Sequence, residues 1–315
     1  MKKPIVVLTG PTAVGKTELS IQLAKVIGGE IISADSMQVY KYMDVGSAKI
    51  TPEEMDGVRH YLVDELEPFD EFHVVKFQEY AQKYLNEIYA HEKIPIIAGG
   101  TGFYIQALLN DIDFTEQESD SAYRKELEAL AEEHGNQYLH DRLKEVDPES
   151  AEVIHPNNRK RVIRALEFFQ ETGGRISEHN AKEQMRTSPY NFAYFVLNDE
   201  RSHLYKRIDA RVDKMIEDGL EAEVRRLKEM GCTKDMVAMQ GIGYKEMLSY
   251  LDGGYSLEEA VYIIKRETRH FAKRQITWFK RERDVIWLNK NEFDYKNEAI
   301  LAYMIKILKE KAIIS

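Results

Sequence analysis

The stretch Gly10-Pro-Thr-Ala-Val-Gly15-Lys16-Thr17 decides the fold, because it matches the Gly-x4-Gly-Lys-Ser/Thr pattern of a phosphate-binding loop. A β-branched run at residues 5–8 precedes it and an apolar-periodic stretch at residues 16–27 follows it, as a strand and a helix would. Its glycines allow successive N–H groups to point at an anion in front of the helix N-terminus. The loop is therefore predicted to bind a polyphosphate, and Thr17 to hold Mg²⁺ on the same phosphates. The residues expected to contact the phosphates are Gly10, Pro11, Thr12, Ala13, Val14, Gly15, Lys16 and Thr17.

Strand-like and helix-like stretches alternate through the first hundred residues, which predicts a parallel sheet covered by helices. Further strands are expected at residues 30–33, 60–63 and 94–98, and an amphipathic helix at residues 74–89. The fold class that follows is α/β, with a P-loop NTPase-like parallel sheet core, a helical insertion and a second, mainly helical segment.

Changes in composition divide the chain into five segments. We expect the P-loop α/β core at residues 1–111, a helical insertion at 112–149, a return to the core at 150–199, a helical segment at 200–284, and the final strand and helix of the core at 285–315.

The composition excludes several classes of protein. With 43% hydrophobic and 31% charged residues, the chain of 315 residues is neither collagen-like nor mostly disordered. The single cysteine, Cys232, cannot form an internal disulfide or a cysteine-based zinc site, which favours a reducing compartment. No stretch approaches the roughly 18 apolar residues of a membrane span. We therefore expect a cytoplasmic monomer with no membrane partner.

The net charge of −10 hides two basic segments. Residues 112–149 hold 12 acids and 4 bases, whereas residues 265–283 hold 8 bases and 2 acids. Residues 157–164 contain four bases and no acid. The total argues against a nucleic-acid partner, but the distribution leaves two surfaces that could contact its phosphates.

The position of one acidic residue differs from its usual position in P-loop kinases. Such enzymes place an acid at the end of a neighbouring strand to help hold the metal. Here the strand at residues 94–98 ends in Gly-Gly-Thr-Gly, and the acid is instead Asp35, after the second strand. This arrangement weakens a phosphoryl-transfer interpretation without excluding it.

Five blocks of sequence occur in the order found in bacterial tRNA dimethylallyltransferases, and the chain resembles that family over essentially its whole length. The P-loop is shared with many unrelated enzymes, whereas the other blocks together are specific. The blocks are residues 10–17, 33–40, 99–104, 157–164 and 273–278. The resemblance implies transfer of a dimethylallyl group from dimethylallyl diphosphate to N6 of adenosine 37 in tRNA that carries A36-A37. The P-loop and Mg²⁺ would then stabilise a departing diphosphate.

The same resemblance implies four catalytic residues, Asp35, Thr17, Arg211 and Thr101. Asp35 matches the family's general base, although such a residue also caps helices or assists a metal. Thr101 matches a contact to the target base, and an ordinary turn is the alternative. Arg211 matches a diphosphate ligand, whereas we expect Arg207 and Lys214, on the same helical face, to be solvated.

The segment 200–284 is expected to bind tRNA, because Arg266, Arg269, Lys273 and Lys280 form a basic stripe on a predicted helix. The interleaved aromatic residues are interpreted as core. Family segments and this stripe together give the expected tRNA contacts: Asp35, Ser36, Met37, Gln38, Thr101, Arg124, Asn158, Arg159, Lys160, Arg161, Val162, Gln240, Gly241, Gly243, Lys245, Arg269 and Lys273.

Three other functions stay open at the level of sequence. The first is an ATP-dependent small-molecule kinase, and the second a non-catalytic RNA-binding protein whose affinity is altered by ATP. The third is an enzyme that prenylates free adenine nucleotides, against which the basic segment 265–283 argues.

Overall fold

Six parallel strands form one sheet in the computed structural model, which describes residues 2–112 and 122–315. The strands are β1 (Pro4–Thr9), β2 (Gly29–Ser33), β3 (His60–Tyr61), β4 (Ile94–Gly99), β5 (Asn191–Asn198) and β6 (Val285–Asn289). Their order across the sheet is β3-β2-β4-β1-β5-β6, and each neighbouring pair is parallel. The predicted α/β fold with a parallel sheet is confirmed.

Helices connect and cover these strands. They are α1 (Lys16–Ile27), α2 (Pro52–Met55), α3 (Val74–Ala90), α4 (Gly102–Asn110), α5 (Ala122–His134), α6 (Asn136–Val146), α7 (Pro148–Val153), α8 (Arg159–Thr172), α9 (Ile176–Met185), α10 (Arg201–Glu217), α11 (Leu220–Glu229), α12 (Tyr244–Leu251), α13 (Leu257–Phe279) and α14 (Asn297–Glu310). Short 3₁₀ helices occupy Ala238–Gln240 and Lys290–Phe293. None of the helices in residues 2–112 and 122–315 combines the length and the apolar composition that a membrane span needs.

Both faces of the sheet are buried, which explains the continuous apolar runs of its strands. Side chains alternate along β1, so that Ile5 and Val7 join one core while Val6 and Leu8 join the other. The first core includes Phe77 and other residues of α3 and α4. The second includes Leu19 and further residues of α1 and α14. Central strand β1 is thereby fixed between two helical layers.

Residues Asn110–Ser188 form a second compact unit, separate from the unit of residues 2–109 and Pro189–Ser315. It extends beyond the predicted insertion of residues 112–149, because Val162 and Leu166 of α8 pack into one core with Leu127 and Leu143. The polar stretch after residue 176 forms α9. Residues 113–121, which belong to the predicted insertion, lie outside the described residues.

Candidate active site

Three turns that leave the carboxyl ends of β1, β2 and β4 meet at one edge of the sheet, where parallel α/β folds place their ligands. The Ala34 N–H donates to the Ala98 carbonyl at 2.8 Å, and the Thr101 N–H donates to the Ala34 carbonyl at 3.1 Å. A Cβ on Gly99 would lie 2.3 Å from the Ala34 carbonyl oxygen. The glycine therefore permits the close approach that makes Asp35 and Thr101 neighbours across this edge.

The phosphate loop itself depends on its two glycines. Gly10 has a φ of 148°, and a Cβ there would lie 2.2 Å from the Leu197 carbonyl oxygen of β5. Gly15 has a φ of 103° and begins α1 as its N-cap. Both positions exclude ordinary side chains, so the spacing of the motif is a requirement of the backbone as well as of the ligand.

Lys16 folds over this loop and carries a perturbed ammonium group. Its Nζ donates to the carbonyls of Gly10 at 3.0 Å and Pro11 at 2.9 Å. Burial lowers the pKa of Lys16 to about 7, with the positive charge of Arg211 acting in the same direction and Asp35 opposing both. A nearby anion favours the charged ammonium and raises its pKa. Lys16 is therefore poised to gain charge when a phosphate binds.

Two arginines of α10 also reach the phosphate loop. Arg211 donates from NH1 to the Thr12 hydroxyl at 3.4 Å, and its role as a diphosphate ligand stays a prediction. Burial lowers the pKa of Arg211, against the opposing charge of Asp35. Arg207 is exposed, as expected, and it also donates from Nε to the Ala13 carbonyl at 2.7 Å, a contact that the sequence did not predict.

The third member of that helical face behaves differently. Lys214 is exposed and pairs with Asp218 at 3.1 Å, as expected of a surface residue. The reason is geometric, because Lys214 lies one turn beyond Arg211, past the phosphate loop.

Asp35 closes a turn rather than capping a helix. Its Oδ1 accepts from the Met37 N–H at 2.8 Å and from the Gln38 N–H at 3.4 Å. No helix follows it in the described chain before Pro52. Because both bonds use Oδ1, the turn holds the carboxylate in place while Oδ2 can take a proton. The negative charge of Asp35 acts to raise the pKa of Lys16 and of Arg211, although burial lowers both.

Two of the segments expected to bind tRNA are in contact in the first unit. A Cβ on Gly241 would lie 2.7 Å from the sulfur of Met37, so residues 35–38 and 240–245 form one surface. Gly243, with a φ of 101°, begins α12. Gln240 donates from Nε2 to the Lys234 carbonyl of its own loop. The role of these residues, with Ser36, Gln38 and Lys245, stays a prediction.

Acidic side chains pair with some of the cations in the basic stripe on α13. Arg269 pairs with both carboxylate oxygens of Asp209 on α10, at 2.7 and 2.9 Å. Arg266 pairs with Glu267 at 2.9 Å, whereas Lys273 is exposed. An acid on the neighbouring helix thus neutralises part of the stripe, which the sequence of α13 alone does not reveal.

In the second unit, acids pair with two of the predicted tRNA-binding cations. Arg124 forms a two-pronged pair with Glu167 at 3.0 and 2.6 Å, and Glu167 is only 1% exposed. Arg159 bonds to Glu132 at 3.0 Å, whereas Lys160 and Arg161 are exposed, as is Asn158, the N-cap residue of α8. The side chain of Val162 is fully buried, so its expected contact with tRNA is corrected to a packing role.

Sequence reasoning missed two residues that hold the phosphate loop. Gln275 of α13 bonds the loop through the Thr12 N–H at 2.9 Å, and Lys290 donates to the Val14 carbonyl at 3.4 Å. Burial, reinforced by Arg207, lowers the pKa of Lys290. Gln275 falls within the block 273–278 that carries the family resemblance, which was the available signal. Nothing in the sequence around Lys290 indicates its contact.

Comparison with known proteins decides the family. A model described as IPP transferase matches residues 38–282. A tRNA dimethylallyltransferase of Lachnoclostridium phytofermentans is 64% identical over 313 residues, 99% of either chain. One from Acetivibrio thermocellus is 52% identical over 94% of this chain and 95% of that protein. The chain belongs to the IPP transferase family.

Solved structures agree with that assignment. The tRNA isopentenylpyrophosphate transferase of Bacillus halodurans is similar to this IPP transferase with a TM-score of 0.74 and 45% identity, covering 99% of this chain and 98% of that one. A eukaryotic dimethylallyltransferase that acts on tRNA gives a TM-score of 0.79 at 31% identity, covering 91% of this chain and 74% of that one. The resemblance inferred from the sequence blocks is confirmed.

Proposed function

We propose that this IPP transferase moves a dimethylallyl group from dimethylallyl diphosphate to N6 of adenosine 37 in tRNA and releases diphosphate. The observation that carries the proposal is that the phosphate loop, with the side chains of Lys16 and Arg211, meets the turn of Asp35 at one edge of the sheet. The relatives named as tRNA dimethylallyltransferases support it.

The donor half of the reaction uses the phosphate loop for a leaving group. As the allylic C–O bond breaks, negative charge develops on the bridging oxygen of the diphosphate. We propose that this charge is stabilised by Lys16, by Arg211 and by the N–H groups of the loop and of the α1 N-terminus. The contacts of Lys16 and Arg211 with the loop support these roles. In this reaction the loop binds a departing anion. That role does not require the acid that P-loop kinases place at the end of a strand such as β4.

Magnesium fits the same loop. The Thr17 hydroxyl lies in the first turn of α1 and is exposed, and Mg²⁺ commonly takes one or two protein oxygens and completes its shell with phosphate and water. When bound, Mg²⁺ would neutralise charge on the diphosphate. The protein would supply Thr17 as its ligand.

The acceptor half of the reaction assigns Asp35 as the general base. The N6 amine of adenine is a weak nucleophile, because its lone pair is delocalised into the ring. As N6 bonds to the allylic carbon, one N–H proton passes to the Asp35 carboxylate, which contributes about 10²–10⁴-fold in rate. We assign to Thr101 a contact with the target adenine, and the hydrogen bond from its N–H to the Ala34 carbonyl, next to Asp35, supports this role.

The tRNA must present adenosine 37 outside its base stack. We propose that residues 35–38 and 240–245, which share one surface, contact the loop around A36-A37. The exposed cations Lys273, Lys160 and Arg161 would contact phosphates. We further propose that the chain acts as a monomer in the cytoplasm.

Labelled dimethylallyl diphosphate tests the proposal. The protein is incubated with Mg²⁺ and tRNA carrying A36-A37, beside a matched tRNA with guanosine at position 37, which lacks the N6 amine. Label should enter only the first tRNA. Label confined to the small-molecule fraction would contradict the proposal, and ATP-dependent phosphorylation of a small molecule would favour the kinase.

A further inference from the structure

The side chain of Gln275 connects two turns that are distant in sequence. Its Oε1 accepts from the Thr12 N–H of the phosphate loop at 2.9 Å, and its Nε2 donates to the Gly100 carbonyl of the turn after β4 at 2.9 Å. The side chain is 5% exposed. Thr12 and Gly100 belong to different halves of the proposed reaction, because Thr12 is part of the phosphate loop that would bind the diphosphate and Gly100 precedes Thr101.

Only a primary amide of this length satisfies both partners. A backbone N–H requires an acceptor and a carbonyl requires a donor, and the glutamine amide carries one of each at the same end. Glutamate would lack the donor, methionine would lack both groups, and asparagine would be one methylene shorter. The residue type is therefore specified by its two contacts rather than by packing alone.

The packing around Gln275 leaves it little freedom. A Cβ on Gly100 would lie 2.3 Å from Nε2 of Gln275, and a Cβ on Gly102 would lie 2.3 Å from the Trp278 ring. The last turns of α13 thus rest directly on the backbone of the turn that carries Thr101. The Thr9 hydroxyl at the end of β1 also donates to the Gly99 carbonyl at 2.7 Å. The turn is therefore bonded to the end of β1 and, through Gln275, to the phosphate loop.

We propose that Gln275 is a positioning residue that fixes the distance between the diphosphate site and the acceptor turn. The proposal rests on the proposed prenyl transfer. Gln275 contacts loop backbone and no reacting atom, so its effect is on alignment of the allylic carbon with N6. A misplacement of about 1 Å between reacting groups lowers a rate by about 10²-fold.

A single-turnover experiment with Gln275→Met separates positioning from binding. Both substrates are supplied at saturation, and dissociation constants are measured separately for inorganic pyrophosphate and for tRNA. We expect the rate to fall about 10²-fold, because the two turns lose their common link. Both dissociation constants should stay within a few-fold of wild type, because neither substrate loses a direct contact.

Rates are normalised to the active fraction, measured by stoichiometric pyrophosphate binding. Thr268→Val on the same helix is the matched control, because it removes a hydrogen bond that stays within α13. If Gln275→Met does not fold, Gln275→Glu keeps the acceptor for Thr12, loses the donor to Gly100 and must show the same rate defect. A rate equal to that of wild type, or a loss confined to the dissociation constants, would overturn the proposal.

The two proposals fail differently. If wild-type protein transfers no label to tRNA, prenyl transfer itself is wrong. If wild-type protein is active and both Gln275 variants match it, only the positioning role is wrong.

Discussion

Lys16 and Arg211 at the sheet edge differ from Arg124 and Arg159 of the second unit in the groups that they contact. Lys16 bonds to loop carbonyls, Arg211 to a hydroxyl, and burial lowers the pKa of both. In the second unit Arg124 and Arg159 pair with carboxylates. Side-chain hydrogen bonding to Glu167 raises the pKa of Arg124. A cation held by carbonyls stays available to an anionic ligand, whereas one held by an acid already has its counter-charge.

Replacing Asp35, the carboxylate at the sheet edge, should cause the largest loss of turnover. Asp35→Asn keeps an oxygen for the Met37 N–H but removes the base, so turnover should fall by about 10²–10⁴-fold while tRNA binding is retained. Steady-state rates and tRNA dissociation constants measure this. Asp235→Asn, an exposed acid, is the control. A variant at position 35 with near-wild-type turnover would remove Asp35 from the role of base.

The next prediction separates two cations on one helix. Arg211→Gln should reduce kcat by about 10²–10³-fold, because one donor to the developing charge is lost. Lys214→Ala, one turn away and paired with Asp218, should leave kcat unchanged. Equal losses in both variants would mean that the general charge of α10 matters, and not the contact of Arg211 with the loop.

The lowered pKa of Lys16 should make the affinity of the phosphate loop for an anion depend on pH. Between about pH 7 and the ordinary pKa of a lysine near 10.5, Lys16 is mostly neutral until an anion binds, so binding takes up a proton. Pyrophosphate affinity should therefore fall as pH rises above about 7, by up to about tenfold per pH unit. Calorimetric titration of wild type and Lys16→Met at four pH values isolates this contribution, since the ligand's own titration is common to both. If pyrophosphate affinity falls with pH equally in wild type and in Lys16→Met, proton uptake by Lys16 does not contribute to binding.

The sequence predicted those features whose causes are local. Gly10 and Gly15 are needed by the backbone of the loop itself, and the apolar strands reveal burial on both faces, so the sheet and phosphate site could be inferred. The long-range hydrogen bonds that hold the site together could not be inferred from the sequence. Thr12 and Gln275 are 263 positions apart, and Arg207 and Ala13 are 194 apart, so no periodicity connects them.

The same reasoning explains the boundary of the second unit. The apolar face of α8 predicts a buried helix but not which core accepts it. Val162 and Leu166 complete the core of the second unit, so the unit continues to Ser188. An amphipathic pattern gives the face of a helix and leaves its partner open.

The smallest expected effect distinguishes two cations of the stripe on α13. Replacing Arg269 and Lys273 together by alanine should weaken tRNA binding and flatten its dependence on salt. Within that pair, exposed Lys273 should account for most of the change, because Arg269 is neutralised by Asp209. A released phosphate contact changes the slope of log K against log salt by about 0.7–0.9.

Measuring the single variants over a range of salt concentrations tests this directly. Lys273→Ala should reduce the slope by nearly that amount. Arg269→Ala should change it little, because a guanidinium that is paired with Asp209 has no phosphate contact to release. Asp209→Asn is the informative partner, since it frees Arg269 and should steepen the slope if the guanidinium can reach a phosphate. If Arg269→Ala instead gives the larger change, tRNA must break the pair with Asp209, and acid pairing is then no guide to which cations bind RNA.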